Sequence, residues 1–74
     1  MKNILVIGSG ISALGVCKLA LHKKYNVKIT DVKKIDLKIK KLLTSINVTF
    51  EEGGHSNASL EWGDEIIISP GVSS

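Results

Sequence analysis

Two hydrophobic patterns alternate along the chain. Residues 3–7, Asn-Ile-Leu-Val-Ile, form a continuous aliphatic run that stops at Gly8. A short run without polar alternation, ended by glycine, predicts a strand buried on both faces, as parallel sheets require. Residues 11–24 switch to spacings of three and four. Ile11, Leu14, Cys17 and Leu21 recur with Ala13, Val16 and Ala20 beside them, and Lys18, Lys23 and Lys24 take the outer side. That spacing predicts an amphipathic helix lying on a sheet. Residues 26–30 predict a second strand ending at Asp31. Asp36 is placed to cap a helix whose buried stripe is Leu37, Ile39, Leu42, Leu43 and Ile46. Residues 47–51 predict a third strand, broken by Gly53-Gly54. Residues 56–62 predict a short helical turn, with Trp62 packing it onto the sheet. Residues 65–69 predict a fourth strand, stopped by Pro70-Gly71.

Strands that alternate with helices in this way predict an α/β, Rossmann-like parallel sheet in three αβα layers with right-handed crossovers. One domain spans residues 1–74. Doubly wound sheets usually have five or six strands. The expectation is therefore a piece truncated after its fourth strand, or a domain whose remainder was removed.

Composition narrows the picture. Hydrophobic residues make up 43% of the chain and are mostly Ile, Val and Leu, with one Phe, one Trp and one Tyr. Aliphatic packing must carry the core. The net charge is +3, from ten lysines and no arginine. Lys33, Lys34, Lys38, Lys40 and Lys41 cluster on a loop and an exposed helix side, which reads as a solvated face rather than a nucleic-acid surface. The lack of arginine removes the residue best suited to bidentate phosphate or base contacts. Cys17 is the single cysteine, so no internal disulfide forms, in keeping with a reducing, cytoplasmic setting. The aliphatic run after Lys2 is too short for a signal peptide. No stretch approaches the roughly 18 apolar residues of a membrane span.

The chemistry concentrates in the turns. Gly8-Ser9-Gly10-Ile11-Ser12-Ala13 matches G-x-G-x-x-G/A directly between a predicted strand and a predicted helix. Gly8 permits the tight turn, Gly10 leaves room for a phosphate, and small Ala13 lets the helix approach the strand. The helix N-terminus then offers free N–H groups and partial positive charge to an anion. Gly10 and Gly15 also have the G-x-x-x-x-G spacing, but Val16-Cys17 stands where a P-loop needs Lys-Ser or Lys-Thr. Asp31 ends the second strand 21 positions after Gly10, where dinucleotide folds place the acid that holds ribose hydroxyls. Read plainly, it is an exposed turn aspartate. An acid there disfavours a 2′-phosphate. Ser69-Pro70-Gly71 ends the fourth strand on the same edge, as a site element or as an ordinary turn. Cys17 reads as a small apolar helix residue and His22 as an exposed helix end. His55 either lines the site edge or, as its loop favours, caps the loop. No metal-ligand cluster is visible.

Residues 6–15, Val27-Lys28-Ile29-Thr30-Asp31, Gly53-Gly54-His55 and residues 64–72 together resemble the N-terminal domain of the UDP-N-acetylmuramoyl-L-alanine:D-glutamate ligases, the glutamate-adding family of Mur ligases in peptidoglycan synthesis. The ending Ile-Ile-Ser-Pro-Gly-Val is the most specific part and favours the glutamate-adding over the alanine-adding enzymes. The resemblance implies a three-domain enzyme whose first domain binds the UDP end of UDP-N-acetylmuramoyl-L-alanine. It implies that Gly8, Ser9 and Gly10 form the binding turn and that Ile11 and Ser12 meet the diphosphate. Asp31, Val32 and Lys33 would meet the uracil and ribose, with Ser69, Pro70 and Gly71 beside the diphosphate and muramoyl group. ATP, Mg²⁺ and D-glutamate would belong to the remaining ligase domains, and no catalytic residue or metal ligand to this chain. Nucleic acid and membrane would not be partners. Ser9 stands where the family often has leucine, and Ala13 where it often has glycine. An NAD-binding regulatory Rossmann module is the alternative; it shares the glycine turn and the acid but gives no reason for Ser69-Pro70-Gly71. A dehydrogenase domain would need a hydride-transfer partner that is not visible here.

Overall fold

A computed structural model describes residues 1–69; the expected site residues Pro70 and Gly71 lie outside the described residues. The elements are β1 (Asn3–Ile7), α1 (Ile11–His22), β2 (Asn26–Asp31), α2 (Leu37–Ser45), β3 (Thr49–Glu52), α3 (Asn57–Trp62) and β4 (Glu65–Ile68). All the strands are parallel, in the order β3-β2-β1-β4. This is the expected Rossmann-like α/β arrangement.

The layers follow from strand alternation. Register pairs Ile4 with Val27 and Val6 with Ile29. These four join Ala13, Cys17 and Ala20 of α1 and Leu43 of α2 in one buried cluster. Leu5 and Lys28 pair on the opposite face. There Lys28 Nζ lies 3.4 Å from Ser59 Oγ and 5.3 Å from the centre of the Trp62 ring, so α3 covers this side. β1, in the interior of the sheet, buries Ile4, Leu5 and Val6 almost completely.

The helices present different faces from those expected. In α1 the fully buried row is Ala13, Cys17 and Ala20, while Ile11 is 85% exposed and Leu14 and Leu21 pack only at the margins. A helix that begins two residues after a tight turn lies close to its strand, and only small side chains fit in the gap. In α2, Leu43 is buried, Ile39 and Ile46 flank it, and Leu37 and Leu42 are exposed. This helix packs against β3 at the sheet edge, which offers a narrow face. Ile35, ahead of the helix, fills the core instead.

Both long helices end in Schellman motifs. In α1, Tyr25 N–H donates to Ala20 O at 3.0 Å and Lys24 N–H to Leu21 O at 2.9 Å, with Lys24 at φ 64. The helix therefore stops at His22 rather than at residue 24. In α2, Val48 N–H donates to Leu43 O at 2.9 Å, with Asn47 at φ 60. That turn moves the start of β3 from residue 47 to Thr49. As expected, Asp36 caps α2, accepting from Lys38 N–H at 2.8 Å.

β4 forms one edge of the sheet. Ile66 and Ile68 are 45% and 67% exposed, because α3 lies over β1 and β2 and leaves this part of the face open. Of the clustered lysines, Lys40 is not freely solvated: it is half-buried and pairs with Glu52 at 2.7 Å. Among the described residues no helix is long and apolar enough to cross a membrane.

Gly63, which ends α3, passes close over β1. A Cβ on Gly63 would stand 2.9 Å from the Leu5 Cβ. Gly63→Ala is expected to lower stability by about 1–3 kcal/mol, as overpacking does, read by chemical denaturation. A variant as stable as the parent would show that α3 is free to move away from β1.

Candidate functional site

Because the strands are parallel, the turns after β1 and β2 and the end of β4 gather on the carboxyl edge of the sheet. The strand order reverses at β1, with β2 and β3 on one side and β4 on the other. From β1 the chain runs through α1 to β2 on one side, and from β3 it returns through α3 to β4 on the other; open α/β sheets take their ligands in the crevice at such a switch point. The structure thus brings residues 8–12, residues 31–33 and Ser69 to one edge.

The first turn is built as its glycines suggest. Gly8 has φ 106, a conformation side chains disfavour, and its N–H donates to Thr30 O at 2.8 Å. Gly10 is different. Its backbone is extended (φ −73, ψ −176), and among the described residues a Cβ there would meet nothing within 4 Å. Neither backbone strain nor a protein neighbour demands glycine at this position. Its absent side chain leaves open space in front of the α1 N-terminus, which no side chain caps and whose first turn holds no acid. Ile11 and Ser12 are exposed there. Unpaired N–H groups and the helix dipole make this end attractive to an anion.

Ser69 lies beside this turn, its N–H donating to Ile7 O at 2.8 Å. The side chain is 1% exposed, and its Oγ has no hydrogen-bond partner among the described residues. A buried polar group left unpaired costs about 1–3 kcal/mol.

Asp31 is tied into the protein rather than projecting from a turn. Its Oδ2 accepts from Ser9 N–H at 3.0 Å and from Ser9 Oγ–H at 2.7 Å, and its Oδ1 accepts from Lys33 N–H at 2.9 Å. Partial burial pushes the carboxyl pKa up. The bonds from Ser9 Oγ, Lys33 N and Ser9 N, with His55 nearby, outweigh it and hold the pKa below the ordinary aspartate value. Val32 and Lys33 beside it are exposed.

His55 comes to the site edge, contrary to the favoured reading of a plain loop cap. Gly53 and Gly54 take φ 82 and φ 146, which bends the chain back over β2. Gly54 N–H donates to Asp31 O at 3.1 Å, and His55 Nδ1 lies 2.7 Å from the hydroxyl of buried Thr30. The Gly-Gly pair before the histidine was the available signal.

Two glutamates that sequence reasoning passed over fasten the surroundings. Glu51 accepts from Ser56 N–H, Ser56 Oγ–H and Ser59 Oγ–H, which ties α3 to β3. Glu52 accepts from Ile35 N–H and Lys40 Nζ, which ties the loop before α2 to β3. Cys17 is fully buried, and desolvation pushes its thiol pKa up to about 11, so it packs as an apolar residue. Among the described residues, no group of three or more His, Cys, Asp or Glu could hold a metal ion.

A parallel sheet that reverses at β1, with an uncapped helix end and an acid on its carboxyl edge, defines the class: a Rossmann-like α/β domain. Residues 3–74 match the family described as the MurD N-terminal domain, and the chain belongs to that family. Relatives named UDP-N-acetylmuramoylalanine--D-glutamate ligase occur in Bacteroides thetaiotaomicron (38% identical over 97% of this chain) and in Porphyromonas gingivalis (39% over 95%). A third is from Thermosipho africanus (39% over 97%). The chain spans 16% of the length of each of these relatives.

The lowered Asp31 pKa fixes the sign of a pH effect. Its contribution to stability is complete above the unfolded value of 3.8 and is lost as pH falls through the folded one. Asp31→Asn should therefore be less stable than the parent at pH 7, with the difference shrinking below about pH 4. Denaturation midpoints at pH 7, 5 and 3 check this. A pH-independent difference would contradict it.

Proposed function

We propose that this chain binds the uridine diphosphate end of UDP-N-acetylmuramoyl-L-alanine, as the first domain of an ATP-dependent ligase that adds D-glutamate to it in peptidoglycan synthesis. The observation that carries the reading is the uncapped N-terminus of α1, fronted by the open space at Gly10. Membership of the MurD N-terminal domain family and the names of the relatives support the choice of ligand.

In this reading Gly8, Ser9 and Gly10 form the turn, and the N–H groups of Ile11 and Ser12 meet the diphosphate. The Ser69 hydroxyl, unpaired among the described residues, gains a partner there, with Pro70 and Gly71 following it in sequence. The uridine lies over Asp31, Val32 and Lys33. This chain's work is binding and orientation. Gly15 is followed by Val16-Cys17 rather than the Lys-Ser or Lys-Thr of a P-loop, which does not fit ATP and Mg²⁺. Both belong, with D-glutamate, to the remaining ligase domains. The ligase is a cytoplasmic enzyme in this account.

Calorimetric titration with UDP tests the reading. The parent protein binds, and Gly10→Val weakens binding by at least about tenfold because the valine fills the phosphate's space, a loss of about 1.4 kcal/mol. Its thermal midpoint stays near the parent's, since no atom of the described residues lies within 4 Å of the new Cβ. Equal UDP affinity in the two proteins would contradict the assignment.

A further inference from the structure

We propose that Ser9 is a positioning residue of this nucleotide site, joining the phosphate-facing turn to the nucleoside-facing acid through Asp31. The inference rests on the nucleotide reading above and adds to it a role for a side chain at a position that the turn motif leaves open.

Both Ser9 donors, the N–H and the hydroxyl, converge on Asp31 Oδ2 at 3.0 and 2.7 Å. A carboxylate oxygen accepts about two hydrogen bonds, so Oδ2 is filled. Oδ1 already accepts from Lys33 N–H and keeps one accepting position. Of the two Asp31 oxygens, Oδ1 has the fewer partners among the described residues and is the one better placed to accept from a ligand. The Ser9 hydroxyl has spent its proton on Asp31, so it does not donate to a phosphate. Its work is done through the acid.

The backbone around the pair is held as well. Gly8 N–H donates to Thr30 O at 2.8 Å, and Gly54 N–H donates to Asp31 O at 3.1 Å. Ser9 sits between Gly8 and Gly10, directly before the first-turn amides of α1. Fixing Ser9 to Asp31 thus sets the helix end and the acid at a constant separation, which a ligand spanning both requires. A residue without a side-chain donor at this position keeps only the N–H bond.

The test uses UDP titrations of Ser9→Ala, Ser9→Thr, Asp31→Ala and the Ser9→Ala/Asp31→Ala double variant. It adds hydrogen exchange measured by mass spectrometry over residues 8–12. Losing a hydrogen bond to a charged group should weaken UDP by about threefold to tenfold in Ser9→Ala. Ser9→Thr should restore affinity to within about twofold, because the hydroxyl is regained. In the Asp31→Ala background, Ser9→Ala should cost nothing further, since a residue acting through a partner is silent without it. Exchange over residues 8–12 should rise in Ser9→Ala without ligand. A Ser9→Ala loss that persists undiminished without Asp31 would mean that Ser9 touches the nucleotide itself and would overturn the positioning role alone. Unchanged exchange in Ser9→Ala would overturn it irrespective of ligand. A parent protein that does not bind UDP would overturn the nucleotide reading, and the positioning role with it.

Discussion

The bond from Gly8 N–H to Thr30 O, made possible by the positive φ of Gly8, is the constraint on which the carboxyl edge depends. It holds the turn after β1 against the end of β2. α1 then starts with its N–H groups facing the crevice, and Ser9 comes within reach of Asp31. The steric demand of the same turn reaches the core. A helix that begins so soon after the strand must pack through Ala13, Cys17 and Ala20, the small residues that form its buried row. Ligand geometry and core packing are two consequences of one backbone conformation.

The opposite face of the sheet serves the same edge by another route. Gly53 and Gly54 turn the chain back from β3 across β2, and His55 meets the hydroxyl of Thr30. Glu51 gathers Ser56 and Ser59, so the start of α3 is anchored by a carboxylate whose three hydrogen bonds lower its pKa. The rim around Asp31 is thus assembled from β1, β2 and β3. It is held mainly by carboxylates that accept backbone and hydroxyl donors, rather than by ion pairs.

The element order, the parallel sheet and the glycine turn were legible in the sequence because each rests on a local rule: an aliphatic run stopped by glycine, an Asp at a helix start, a motif placed between strand and helix. The buried helix faces were not. Periodicity marks which residues are apolar, and the choice of Ala13 over Ile11 for the interior depends on how near the helix lies to the sheet. The exposure of Ile66 and Ile68 likewise depends on how much of the face α3 covers. Lys24 and Asn47 shortened α1 and delayed β3 through left-handed turns that contain no glycine to announce them. Asp31 was legible as the acid that ends β2. Its hydrogen bonds to Ser9 were not, since they span 22 positions and depend on the turn geometry at Gly8. His55 stayed ambiguous because its partner lies on a different strand.

The ligand proposed for the crevice at the β1 turn is a uridine diphosphate. Side-by-side calorimetric titrations of the protein with UDP and with NAD⁺ test it most directly, because both carry a diphosphate and only one carries uridine. UDP should bind saturably and NAD⁺ should not bind at the same concentrations. Binding of NAD⁺ with no binding of UDP would contradict it and identify the domain as a dinucleotide module.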